Sequence, residues 1–200
     1  ICETGISKLE TECARLDALM EEVACDVEKL NEVYAQKQET EQRLMEEARR
    51  QALAGGYSAV TIRSVAEACG VGVGTVYNYY PSKDALVAAF ILKDWQSVTD
   101  RINAVSETSD TVMPVLESMY TGLNRFASAH SAVFQDNSAA AAYAGSLSRY
   151  HGLLRGQLAA PVRKFCPDDF SAEFVAEAML TWTIAGKSLE EISALVTKLM

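Results

Sequence analysis

The chain has 200 residues, of which 49% are hydrophobic and 22% charged, the balance of a globular protein, and it shows no signal peptide and no apolar run long enough to cross a membrane. Its five cysteines are odd in number and include no Cys-x-x-Cys pair, which argues against a disulfide framework and against a structural zinc site. We therefore expect a cytoplasmic protein with reduced thiols, without a metal site and without a cofactor.

The net charge of −9 is spread unevenly along the chain. Residues 1–43 hold 5 basic and 11 acidic side chains, residues 44–95 hold 5 of each, and residues 96–200 hold 8 and 11. Because the middle segment is the least acidic, contact with nucleic acid is expected there, through a few well-placed groups and not through a broad basic field.

Residues 6–34 repeat apolar side chains at heptad spacing. The two series of this repeat are Ile6, Cys13, Met20, Val27 and Tyr34, and Leu9, Leu16, Val23 and Leu30. Alternating steps of three and four residues are typical of a coiled-coil seam, and equally of an amphipathic helix that packs one face on its own domain. The repeat ends where Lys37 and Glu41 take the next two positions. We assign residues 1–40 to an N-terminal helical extension, and both alternatives stay open.

A second helix is predicted over residues 42–54. Gly55 and Gly56 end it, since glycine commonly follows the last turn of a helix. Thr61 is a predicted N-cap, because its hydroxyl can accept a hydrogen bond from an amide two or three residues further on. The helix that Thr61 begins is predicted to reach Cys69.

A short helix is predicted from Val73 to Tyr79, after a break at Gly70. Ser82 can cap the next helix, which contains Phe90. The glycines around residues 70–74 could also indicate a phosphate-binding loop. That alternative fails because no strand precedes them and no Gly-Lys-Ser/Thr follows.

Three residues between positions 61 and 79 have the spacing of a helix-turn-helix. Ala66 is small where two helices cross, Gly70 permits the positive φ of a tight turn, and Val76 can pin the second helix to the first. The outer face of the second helix can then enter a major groove of DNA.

The second helix of this motif is rich in polar and amphipathic side chains, where a helix that served only the core would carry Leu or Ile. Asn can bond base edges, Thr can contact a thymine methyl group, and Tyr can reach a phosphate. The DNA-binding candidates are Thr61, Arg63, Val73, Gly74, Thr75, Tyr77, Asn78, Tyr79 and Lys83.

The remainder of the chain also has helical patterns, so the fold class is predicted to be all-α. The expected helices cover residues 96–107, 112–129, 131–135, 138–158, 171–185 and 188–199. The last two long helices are expected to form a homodimer, through small residues at 139–145 and through apolar faces. These faces include Leu180, Ile184, Leu189, Ile192 and Leu195.

Aromatic residues in this part of the chain can form either a ligand pocket or ordinary core. The pocket candidates are Tyr120, Phe126, Phe134, Tyr143 and Trp182. An enzyme is not expected, because His130 and His151 lie far apart without ligand spacing, and the Asp168–Asp169 pair is better explained as a helix-capping loop.

Residues 44–92 resemble the TetR family of bacterial regulators. The resemblance rests on the helix before Gly55, on Thr61-Ile62, Val65-Ala66 and Gly70-Val71, on the run from Gly74 to Tyr80, and on the run from Ser82 to Leu86. It implies a helix-turn-helix DNA-binding domain, here residues 41–95. A helical domain, here 96–200, would then dimerise and bind an effector.

The resemblance implies a transcriptional repressor that a small molecule releases from double-stranded operator DNA. Two features depart from the family. Gly72 stands where the family often has a polar residue that can contact a phosphate, and an acidic segment of about 40 residues stands where it usually has a short, often basic arm. The alternative function is a helical interaction protein that assembles through the heptads without binding DNA.

Overall fold

The computed structural model describes residues 2–137, 139 and 147–200. These ranges contain helices and no strand, so the predicted all-α class is confirmed. The helices are α1 (Cys2–Gly55), α2 (Ile62–Cys69), α3 (Val73–Tyr79), α4 (Lys83–Thr108), α5 (Met113–Ala129), α6 (Ser131–Phe134), α7 (Leu147–Val162), α8 (Asp169–Ile184) and α9 (Leu189–Val196). In the part of the chain that the structure describes, no helix is both long and apolar enough to cross a membrane.

The chain divides into two compact units, residues 1–43 and 44–200. The helix boundary predicted between residues 34 and 42 is wrong, because α1 runs without a break from Cys2 to Gly55. Residues 35–43 contain no glycine or proline and consist mostly of strong helix formers, so nothing in the backbone stops the helix there.

The described part of the heptad stripe is exposed to solvent. Its large apolar side chains are between 52% and 71% exposed, and they are Leu16, Met20, Val23, Val27, Leu30 and Tyr34. Leu19 and Val33, which lie beside the stripe, are 56% and 61% exposed. The helix therefore leaves its apolar stripe uncovered, and this stripe is available to a partner.

The reading head, as we call residues 44–92, is organised by helix caps that the sequence predicts. The Thr61 hydroxyl accepts a hydrogen bond from the Ser64 amide at 2.9 Å, and the Ser64 hydroxyl accepts one from the Thr61 amide at 3.2 Å, which completes a capping box. Ser82 caps α4 by accepting from the Ala85 amide at 3.1 Å. These predicted helix starts are confirmed.

Gly70 ends α2 in the left-handed conformation, with φ of 68°, and no atom lies within 4 Å of the place that a Cβ would take. Gly70→Ala is therefore expected to cost about 1 kcal/mol of unfolding free energy through backbone strain alone. Gly74 has equal free space but lies inside α3, so Gly74→Ala should stabilise by about 0.5–1 kcal/mol. Urea unfolding of the two variants measures the contrast, and equal effects would contradict it.

The core of the reading head also takes in a segment from beyond α5. Val133 of α6 is 1% exposed and packs in the same cluster as Leu86 and Phe90. The Ser58 amide donates to the Asp136 carboxylate at 2.7 Å, and a Cβ at Gly56 would approach the Ala132 carbonyl oxygen to 2.9 Å. Segment 131–136 therefore joins the reading head to the helices behind it.

Helix α4 continues to Thr108, so the helix predicted to begin after Ser82 and the helix predicted over 96–107 are one helix. Its second half carries Trp95 and Ile102 into a core shared with α5, α7, α8 and α9. Trp95 donates from Nε1 to Gln157 Oε1 at 2.6 Å, and the Ser106 hydroxyl donates to the Pro161 carbonyl at 2.6 Å. One continuous helix thus connects the reading head to this core.

The helix predicted over 138–158 lies partly outside the described residues. Its described part, α7, ends at Val162 and so extends past the predicted end. The Asp168 carboxylate caps α8 by accepting from the Ser171 amide at 2.7 Å, and this bond lowers the pKa of Asp168. The capping role that the sequence predicts for the Asp168–Asp169 pair is thereby confirmed.

Candidate nucleic-acid interface

The helix-turn-helix is built from the three positions that the sequence predicts. Ala66 is 1% exposed and Val76 is fully buried, while Gly70 makes the turn between α2 and α3. Ala66 also accepts hydrogen bonds from the Gly70 and Val71 amides, at 3.0 Å in the case of Val71. These contacts fix α3 against α2 and leave the opposite face of α3 outward.

The outward face of α3 carries the exposed side chains of Val73, Tyr77 and Asn78, with Gly74 beside them. Thr75 and Tyr79 are half-buried, and Tyr79 packs against the core of the reading head. Val73 and Tyr77 are 40% and 52% exposed, although both are amphipathic or apolar. The face offers one amide, one phenol and one apolar surface to base edges and phosphates.

The candidates at the two flanking helix starts are already engaged within the protein. The Thr61 hydroxyl donates to the Ser64 hydroxyl at 2.9 Å in addition to its capping role. The Lys83 ammonium lies 3.8 Å from the centre of the Tyr57 ring. Burial lowers the pKa of Lys83, and the negative charges of Asp136 and Asp84 oppose this effect.

Tyr57 is a residue that the sequence analysis did not single out. Its ring carries Lys83, and its hydroxyl donates to the Asp84 carboxylate. Tyr57 and Lys83 are 26 positions apart in the sequence, so no local motif could have indicated their contact. Lys83 therefore takes part in a tertiary contact between the 3-10 turn at Tyr57–Ala59 and the start of α4.

Of the basic residues between 44 and 95, Arg63 is the one without an ion pair or aromatic contact among the described residues. Arg49 pairs with Asp94 at 2.8 Å and Arg50 with Glu47 at 2.7 Å, and Lys93 lies 3.6 Å from Glu46. The hydrogen bond from Arg50 lowers the pKa of Glu47. Exposed Arg63, on α2, is thus the cation best placed for a phosphate.

The aromatic ligand candidates do not share one cavity. Phe126 packs against Trp95, with ring centres 5.3 Å apart, and lies 6.0 Å from Phe134, which is 52% exposed. Tyr120 and Trp182 pack against the core behind the reading head. Tyr143 lies outside the described residues. Phe126 and Trp182 line separate cavities, so these residues remain a prediction without a common site.

The two histidines also lie apart. His130 is 1% exposed, and its Nε2 lies 3.0 Å from Asp94 Oδ2. His151 is exposed, with Nε2 3.4 Å from Glu177 Oε1. Within the described ranges, no group of three His, Cys, Asp or Glu side chains could hold a metal ion.

The sequence of the reading head is similar to that of known proteins. Residues 44–90 match the model of bacterial regulatory proteins of the tetR family. The transcriptional repressor KstR of Mycolicibacterium smegmatis is 35% identical over 71 residues, which cover 36% of this chain and 35% of KstR. The nucleoid occlusion factor SlmA of Actinobacillus pleuropneumoniae is 30% identical over 92 residues, or 41% of this chain and 46% of SlmA. The chain thus spans between a third and a half of these relatives.

The similarity of fold reaches further than the similarity of sequence. The crystal structure of a transcriptional regulator of the TerR/AcrR family from Aquifex aeolicus matches 80% of this chain and 96% of its own, with a TM-score of 0.52 and 15% identity. Together, the helix-turn-helix and the helical domain behind it define a protein of the helix-turn-helix class. Residues 44–90 thus form a DNA-binding domain of the kind found in bacterial regulatory proteins of the tetR family.

Proposed function

We propose that this protein is a sequence-specific DNA-binding repressor of transcription, released from its operator by a small-molecule effector. The observation that carries the proposal is the outward face of α3, where Val73, Tyr77 and Asn78 stand exposed on a helix fixed by buried Val76. KstR, which matches this reading head, is described as a repressor.

Selection of bound DNA from a random pool by the full chain tests this proposal. A dimer of reading heads should enrich an inverted repeat whose half-sites lie about one helical turn apart, roughly 34–36 Å. Placing the selected site before a reporter gene then separates repression from another DNA-bound role, such as that of SlmA. A pool without an enriched sequence would refute DNA reading.

The proposed homodimer uses the outer faces of α7, α8 and α9. Leu180 and Ile192, which the sequence assigns to this interface, are instead 4% and 0% exposed within the chain's own core. The apolar side chains that remain outside are Leu153, Phe170, Phe174, Ile184 and Leu195, between 44% and 79% exposed. Such a surface supports close association of two copies.

Substitution of Leu153 and Phe174 by glutamate in the full chain is expected to give monomers at micromolar concentration. Two buried charges on an apolar interface, repeated by symmetry, should exceed the stability of such a contact. Val27→Glu with Leu30→Glu is the matched control on the exposed heptad stripe. Light scattering measures the molar mass in solution. If the control variant were monomeric instead, the dimer contact would lie on α1.

The heptad stripe supports the alternative function of assembly through α1. Its side chains are at least 52% exposed over residues 16–34, and such a stripe on a long helix is typical of a surface that pairs with another helix. The same control variant tests it, because assembly through α1 would fail when charges enter the stripe. The alternative also requires that the unmodified chain selects no DNA from the random pool.

A further inference from the structure

A cavity of about 520 Å³ opens between α4 and α5, beside the reading head. This volume lies within the range of about 300–1,000 Å³ that is usual for small-molecule sites. The walls are mostly apolar and include Val98, Val105 and Phe126. Phe126 and His130 line the cavity side by side, with ring centres 4.4 Å apart.

Three arginines stand around this apolar cavity, against two carboxylates. Arg49 is paired with Asp94 at 2.8 Å. Arg101 and Arg125 line the cavity without an ion pair or hydrogen bond to any residue in the described ranges, and Glu117 is the second carboxylate. The cavity therefore has a surplus of positive charge, and two guanidinium groups are available to an anion.

A buried polar group in the wall also lacks a partner. The hydroxyl oxygen of Ser118 is shielded from solvent and forms no hydrogen bond with the residues that the structure describes. A buried hydroxyl without a partner is unfavourable, so such a group is expected to meet a polar atom of a ligand or a water molecule.

We propose that this cavity binds an amphipathic organic anion. Its charged group pairs with Arg101 and Arg125, and its apolar body lies between Val98 and Phe126. The planar fork of a guanidinium group is suited to two parallel hydrogen bonds with a carboxylate or sulfonate. The apolar walls select against small inorganic anions, which would lose hydration without gaining apolar contact.

The cavity is connected directly to the reading head. Arg49 lies on α1 within the reading head, whereas Asp94 lies on α4, and His130 Nε2 is 3.0 Å from the same Asp94 oxygen. Because Arg49 lines the same cavity as Arg101 and Arg125, a charged group bound there also attracts Arg49. It competes with Asp94 for this arginine and so favours a different position of residues 44–55 against α4. Such a shift would alter DNA binding by the reading head. That consequence rests on the proposed function, whereas ligand binding does not.

Two naphthalene dyes that differ in charge test the ligand chemistry on the full chain. The probe 1-anilinonaphthalene-8-sulfonate is an amphipathic anion, and N-phenyl-1-naphthylamine is its uncharged counterpart. We expect the anion to bind about tenfold more tightly, by fluorescence titration, because only it can pair with the arginines. Equal affinities of the two dyes would overturn the proposal.

Substitutions of the cavity arginines show whether the dye binds in this cavity. Arg101→Gln with Arg125→Gln should abolish the preference for the anion, and both side chains are exposed, so the fold should persist. Arg155→Gln is the matched control, since Arg155 lies on α7, outside this cavity, and pairs with Glu173. A preference that survives the double substitution, or that disappears in the control, would overturn the assignment.

DNA-binding measurements in the presence of the dye distinguish this inference from the proposed function. Saturating anionic dye should weaken binding of the selected operator by about tenfold in the unmodified chain. It should not change the operator affinity of the variant with Arg101→Gln and Arg125→Gln. Unchanged operator affinity in the presence of bound dye would overturn the coupling through Arg49. A chain that selects no DNA would refute the proposed function, and the dye titrations would still decide on the cavity.

Discussion

Phe90→Ala is expected to lower the free energy of unfolding of the unit 44–200 by about 3–5 kcal/mol, the usual cost of removing a fully buried aromatic ring. Phe90 is 1% exposed, and its ring stacks on that of His130 with centres 6.1 Å apart. It lies where α4 leaves the reading head, so the void would open between the two parts that α4 connects.

Urea unfolding at one fixed protein concentration measures this loss. Leu92→Ala is the control on the same helix, since Leu92 is 54% exposed and its truncation should change stability by no more than about 0.5 kcal/mol. If Phe90→Ala lowered the free energy of unfolding as little as Leu92→Ala, the core around α6 and His130 would not stabilise the reading head.

Asn78→Ala is expected to cost roughly 1–3 kcal/mol of binding to the selected operator and to relax the choice of base at one position. Asn78 is exposed on the outward face of α3, where an amide can bond a base edge through two atoms. Fluorescence anisotropy on the operator and on random DNA separates lost recognition from lost affinity. Equal loss on both DNAs would show that Asn78 contacts only the backbone.

Arg63→Ala should weaken binding to all DNA alike and reduce the slope of log affinity against log salt by about one. Lys83→Ala should change this slope less, because the Lys83 ammonium lies over the Tyr57 ring and near the acidic Asp84 and Asp136. The comparison has a clear opposite outcome, in which Lys83→Ala lowers the slope by as much as Arg63→Ala. The Tyr57 contact would then open when DNA binds.

Local chemistry made the reading head predictable. The Thr61 cap needs only a hydroxyl and an amide three residues away, and the turn at Gly70 needs only a residue that tolerates positive φ. The helix boundaries near residues 40 and 95 were harder to predict. The heptad repeat ends at Lys37 and Glu41 and so suggested a break near residue 40. Periodicity, however, reports the partner of a helix face and not the continuity of its backbone.

The sequence by itself determined the helical class and the position of the helix-turn-helix, because caps, turns and periodicity act within a few residues. Only the tertiary structure decided which side chains meet across the chain. Lys83 meets Tyr57, and Leu180 turns into the core rather than toward a second copy. Arg49, Arg101 and Arg125 surround one cavity although they come from three helices. Such contacts depend on how helices pack over long sequence separations, which local patterns do not encode.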